Sequence, residues 1–81
     1  MKPTFYLVAT LIEMSECVSD SHTLCSTIEK AEKVFADDVR ICQENFPGRD
    51  GEFLIDIWGC KEWRTEDGYG YTVSIEEIEP V

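Results

Sequence analysis

Across residues 26–48, "STIEKAEKVFADDVRICQENFPG", apolar positions recur at the spacing of one helix face. Ile28, Ala31, Phe35, Val39, Cys42 and Phe46 fall in a single sector when each residue advances about 100°. The spacing predicts an amphipathic helix whose apolar stripe packs on a sheet. Ser26 followed by Glu29 has the spacing of a capping box, and Pro47-Gly48 ends the helix. Val34 and Ile41 fall together on the flank of the stripe, where they either widen the core contact or form a small apolar patch facing a partner.

The segments around this helix alternate with a period of two, the signature of strands. "EFLIDIWGC" puts Phe53, Ile55 and Ile57 on one face, toward the helix, and Leu54, Asp56 and Trp58 on the other. In the last strand Tyr71, Val73 and Ile75 oppose Thr72, Ser74 and Glu76. Alternation breaks at Glu77 and Ile78, which predicts either a strand end near Glu76 or a bulge. "FYLVATLI" is apolar on both faces and is expected to be a central strand. "SECVSDSHTLCS" suits a hairpin turn at Ser19–Ser21 and a short returning strand from His22 to Cys25.

These elements predict one α+β domain over residues 1–81, with one helix packed on a three- to four-stranded antiparallel sheet, ordered ββαββ or alternatively βαββ. The other face of that sheet is left open. It is expected to carry Trp58, Leu54 and one apolar side of the first strand, a surface that a homodimer or a protein partner would cover.

Charge narrows the choice of partner. Seventeen acidic residues against seven basic ones give a net charge of -10, which repels nucleic-acid phosphates and anionic lipid and attracts a basic protein surface. The bland reading of the same charge is solubility. With hydrophobic residues at 43%, the chain can still build a core and lies outside the disordered regime. The apolar run Phe5–Ile12 is too short for a signal peptide and is followed at once by Glu13, Glu16 and Asp20. A cytoplasmic chain is expected, with Cys17, Cys25, Cys42 and Cys60 reduced.

Candidate chemistry is sparse. His22 is the one histidine, so any Cys–His or Ser–His pair must use it, and Cys25 three residues along a strand points to the opposite face. Cys17, His22 and Cys25 form C-x4-H-x2-C, which lacks a fourth zinc ligand. Asp37-Asp38 and Asp50-Gly51-Glu52 are too sparse for a calcium loop, and the glycines make no phosphate-binding loop. No catalytic, metal or cofactor site is expected, and the chain reads as a non-enzyme.

The hairpin "GCKEWRTEDGYGY" mixes Trp63, Tyr69 and Tyr71 with Lys61, Arg64, Glu66 and Asp67, the composition of an interface or of cross-strand packing. From Thr65 to Val81 there are five acidic residues and no Lys or Arg. Glu66, Asp67, Glu76, Glu77 and Glu79 are expected to form one acidic face for a basic partner, with Trp58, Trp63 and Tyr69 as aromatic anchors. The structural alternative is that the terminal acids protect a strand end or edge from pairing.

In size, acidity and its single helix on a small sheet, the chain is similar in general look to accessory proteins of bacteriophages and mobile elements, anti-CRISPR inhibitors among them. The likeness is compositional and rests on no specific residue. It implies an inhibitor that mimics nucleic acid, setting carboxylates where a basic groove expects phosphates. The other expectation is a self-associating structural or regulatory domain that dimerises through its open sheet face.

Overall fold

The computed structural model describes residues 4–79 and has the order ββαβββ: β1 (Phe5–Glu13), β2 (Val18–Cys25), α1 (Ile28–Glu44), β3 (Gly51–Ile57), β4 (Cys60–Thr65) and β5 (Gly70–Ile78). Val81, the end of the acidic stretch counted above, lies outside the described residues. The α+β class holds, but the sheet has five strands, in the order β2-β1-β5-β4-β3, and every neighbouring pair is antiparallel. Among the described residues no helix is long and apolar enough to cross a membrane.

The fifth strand is β4, taken from the sequence as part of a long charged hairpin. Its alternation is hidden by charge: Lys61 and Trp63 share the helix-facing side, while Glu62 and Arg64 point the other way. β2 also differs from expectation. The turn falls earlier, where the Met14 N–H donates to the Cys17 carbonyl at 2.9 Å, and the returning strand then runs from Val18.

The helix begins one residue later than the Ser26 cap predicts. Thr27 is extended at φ -135° and ψ 155°, and its hydroxyl accepts from the Lys30 N–H at 3.2 Å, the first-turn bond of an N-cap. Asn45 closes the other end. As the stripe predicts, Ala31, Phe35, Cys42 and Phe46 are buried, with Val39 and Val34 packed beside them. Ile41 is 48% exposed.

Helix and sheet meet over β1, β5 and β2, where Val8, Val73 and Tyr71 are fully buried. Two hydrogen bonds fix the helix over them: the Thr10 hydroxyl donates to Asp38 at 2.9 Å, and the Tyr71 hydroxyl to Gln43 at 2.9 Å. An aromatic cluster closes the core near the helix C-terminus. Phe46 lies 5.3 Å from Trp63, which stacks on Tyr71 at 5.8 Å with an interplanar angle of 18°.

β5 is the central strand, flanked by β1 and β4, so its acids do not lie on an edge strand, and of the protective readings only that of a strand end applies to them. It neither ends at Glu76 nor bulges against β1: Glu77 lies opposite Tyr6 and Ile78 opposite Phe5 in unbroken register. Only the last residues lack a neighbour on the other side, because pairing with β4 stops at Cys60–Ser74.

Candidate partner-binding surface

β3 is an edge strand, and all seven of its residues are exposed. A register shift between Phe53 and Ile55 makes Leu54 the extra residue of a β-bulge. One extra residue reverses which face the following side chains occupy. Phe53, before the bulge, lies opposite buried Trp63 and so faces the helix layer. After it, Ile55 and Ile57 lie opposite Glu62 and Cys60 on the open face, while Asp56 lies opposite Lys61 on the helix side. The expectation that Phe53, Ile55 and Ile57 share the helix-facing side therefore holds for Phe53 alone.

Trp58, expected on the open face, also sits on the helix side. Its indole N–H donates to the Glu32 carboxylate of α1 at 3.4 Å, although the ring is 67% exposed. Asp56 and Lys61 pair at 3.0 Å, and the Lys61 ammonium lies 5.4 Å from the centre of the Phe53 ring.

These placements create a groove between α1 and the β3–β4 hairpin. One α-helix is about 10 Å across and strands are about 4.8 Å apart, so a single helix covers roughly two of five strands. The uncovered part opens as two cavities that succeed each other along α1. The first, of about 340 Å³, lies among Glu32, Phe35, Asp56, Trp58 and Lys61. The second, of about 520 Å³, lies among Ala36, Val39, Gln43, Phe53 and Tyr71.

On the opposite side of β3, Leu54 and Glu66 line a further cavity of about 670 Å³ with Asp50, Glu52 and Arg64. Arg64 is tied down there, donating to Glu13 at 2.8 Å and Glu62 at 3.0 Å. Burial works against its charge, but the hydrogen bonds and charges of Glu13 and Glu62 outweigh it and raise its pKa above the ordinary value.

The remaining sequence-selected residues do not assemble as expected. Trp63 is 5% exposed and belongs to the core, because its strand is internal and Phe46 and Tyr71 cover its ring. Tyr69 is half-buried in a separate cavity near the end of α1, beside Asp67, whose carboxylate pairs with Arg49 at 2.9 Å. Glu66 and Asp67 occupy the turn before β5, whereas Glu76, Glu77 and Glu79 lie at its far end, about 20 Å away at 3.3 Å per residue. Glu76 and Glu77 moreover point to opposite faces, across from Leu7 and Tyr6. The single acidic face is thus two separate groups.

Leu54 was expected on the open face that a partner would cover, whereas Phe53, Ile55 and Ile57 were missed as surface residues because alternation alone assigned them to the helix-facing side. Their detectable signal was that a seven-residue strand carried apolar side chains on both faces.

Reactive groups are scattered. All four cysteines are unpaired; His22 and Cys25 face opposite sides of β2, and burial, with Asp38 nearby, pushes the Cys42 thiol up to about 11. Among the described residues no three metal-ligating side chains gather. Comparison with known protein families, with curated proteins and with solved structures finds no match.

Proposed function

We propose that this chain is a non-enzymatic protein-binding module that engages a partner with a basic surface through its β3–β4 hairpin. The observation that carries the reading is the exposure of Phe53, Leu54, Ile55, Ile57 and Trp58, at 38–67%, on one edge of the molecule. Contiguous large apolar side chains at a surface are costly in water and mark interaction sites. Asp50, Glu52, Asp56 and Glu66 surround them, and the chain as a whole carries -10, so approach of a basic partner is accelerated. Carboxylates bordering an apolar strip suit an inhibitor or adaptor that occupies a basic groove.

A photo-crosslinking residue placed at Leu54, and in a control chain at exposed Ile41, tests the reading in the native host. The expected product is one stoichiometric adduct from position 54 only. That protein, purified, should lose affinity by about tenfold or more for at least one of Phe53→Lys, on the helix side of β3, and Ile57→Lys, on its open face. Unchanged affinity of the purified pair overturns the hairpin as the interface.

Self-association is the second reading, favoured by Ile55 and Ile57 lying on the open face that also carries Leu24, 61% exposed. Salt separates the two. Screening weakens a complex of opposite charges but strengthens contact between two copies that each carry -10. Sedimentation equilibrium across a salt series reads that sign directly.

A further inference from the structure

We infer that the groove between α1 and the β3–β4 hairpin seats one cationic amphipathic helix of the partner, about three turns long. This rests on the protein-binding reading above and adds the shape and chemistry of what binds.

The missing width comes first. The sheet has room for a second helix beside α1, and the helix-facing side chains of that uncovered strip are Phe53, Asp56, Lys61 and the turn residue Trp58. Phe53 at 43% and Trp58 at 67% exposure stand at the two ends of the strip as apolar walls. Across from them α1 presents Ala36 and Val39. Parallel rows of apolar side chains on two elements are what an i, i+3, i+4, i+7 helix face fills.

The helix wall sets the length. Glu32 to Glu44 spans twelve helix steps, about 18 Å, whereas the bulge shortens the sheet wall: Phe53 and Ile57 pair with Trp63 and Cys60, three steps or about 10 Å apart, and Trp58 extends it from the turn. A guest helix of about 12 residues lies along the full α1 wall, and its central turns meet Phe53 and Trp58.

Charge chooses the sign. The charged groups along the groove are Glu32, Glu44, Asp56, Arg40 and Lys61. Both cations are engaged, Lys61 with Asp56 at 3.0 Å and Arg40 with Glu44 at 3.1 Å, so the excess group is the Glu32 carboxylate, which receives only the Trp58 indole N–H. A lysine or arginine on the guest helix near Glu32, within the field of a chain at -10, meets attraction.

Two other occupants fit less well. A strand added to the outer edge of β3 would have to follow the bulge at Leu54, which bends the strand away from regular pairing. A second copy would bring one acidic chain against another. The bulge instead serves the groove, because its extra residue is what turns Asp56 and Trp58 toward α1.

Three 14-residue peptides test the inference by titration into the isotope-labelled protein at low salt, read by amide chemical shifts and circular dichroism. One carries Leu and Lys at helical spacing, one Leu and Glu at the same spacing, and one Leu and Lys in strict alternation. The expected result is binding of the first alone, with helix induced in the peptide and shift changes at Phe35, Val39, Phe53 and Trp58. Ala36→Arg and Trp58→Ala alter exposed positions and leave the fold intact, yet each should weaken binding about tenfold or more. Shift changes confined to the outer edge of β3 or to the open face, or tighter binding of the alternating peptide, overturn the helical seat while the protein-binding reading stands. Absence of binding by all three also overturns the seat, and the crosslinking pair then judges the broader reading independently.

Discussion

Arg64 reaches Glu13 across Gly70. Its guanidinium Nη2 lies 2.8 Å from Glu13 Oε1, although the two residues are 51 positions apart in sequence. Both pair directly with Gly70 on the central strand, Glu13 from β1 and Arg64 from β4. A glycine between them leaves no side chain in the path, and a Cβ at Gly70 would in any case overlap the Trp63 carbonyl. The bridge therefore ties both flanking strands over β5, with Glu62 as a second acceptor at 3.0 Å.

Arg64→Leu should destabilise the fold by about 1–2 kcal/mol, because it removes charge-assisted hydrogen bonds and leaves two carboxylates facing each other. Denaturant unfolding at low and high salt checks this. The gap between variant and parent should narrow as salt screens the repulsion; a gap independent of salt would assign the loss to packing.

The two tryptophans should report opposite environments. Trp63, 5% exposed, should emit at short wavelength and resist acrylamide in a Trp58→Phe variant, whereas Trp58, 67% exposed, should be red-shifted and readily quenched in a Trp63→Phe variant. Equal quenching constants in the two variants would contradict both the core position of Trp63 and the groove wall formed by Trp58.

Phe35 is 9% exposed at the middle of the helix stripe, and Phe35→Ala should cost about 3–5 kcal/mol through lost burial and a residual cavity. That is a large share of the stability of a small domain. An unchanged urea midpoint would show that the helix does not rest on the sheet by this face.

Alkali should lower the stability of the fold as two buried groups titrate. Burial, then the charges of Cys42 and Asp56, pushes the Tyr71 hydroxyl from 10.0 to about 12, and burial pushes Cys42 from 9.0 to about 11. Both groups are held neutral in the folded state. Their contribution is complete below the unfolded values, and is lost as pH climbs from 9 through about 12, since the unfolded chain releases these protons first. Tyr71→Phe should lower stability by about 1 kcal/mol at neutral pH, through loss of the bond to Gln43, and flatten the decline above pH 10. A parent-like slope there would remove Tyr71 from the alkaline transition.

The identity of most elements was written in local periodicity. The stripe from Ile28 to Phe46 is a property of consecutive residues, and so is the double-sided apolarity that makes β1 an internal strand between β2 and β5. Turn chemistry is equally local: Gly68, at φ +89°, follows Asp67 in the β4–β5 turn, an Asp-Gly pair of the kind hairpin turns favour. β4 was missed because charge occupies both its faces, Lys61 inward as well as Glu62 and Arg64 outward, and only Trp63 signalled burial.

What tertiary structure decided begins with a single residue. Leu54 carries nothing that distinguishes an alternating position from a bulge; the partner strand alone defines the count, and one extra residue moved Asp56 and Trp58 to the helix side and Ile55 and Ile57 away from it. The order of strands likewise separated Glu66 from Glu76 by the length of β5 and carried Trp63 under Phe46. Period and turn propensity act between neighbours in sequence, and these the amino acids determine by themselves. Which face meets which, and which charges share a surface, depends on pairings between distant residues, whose register is settled only when the whole sheet closes around β5.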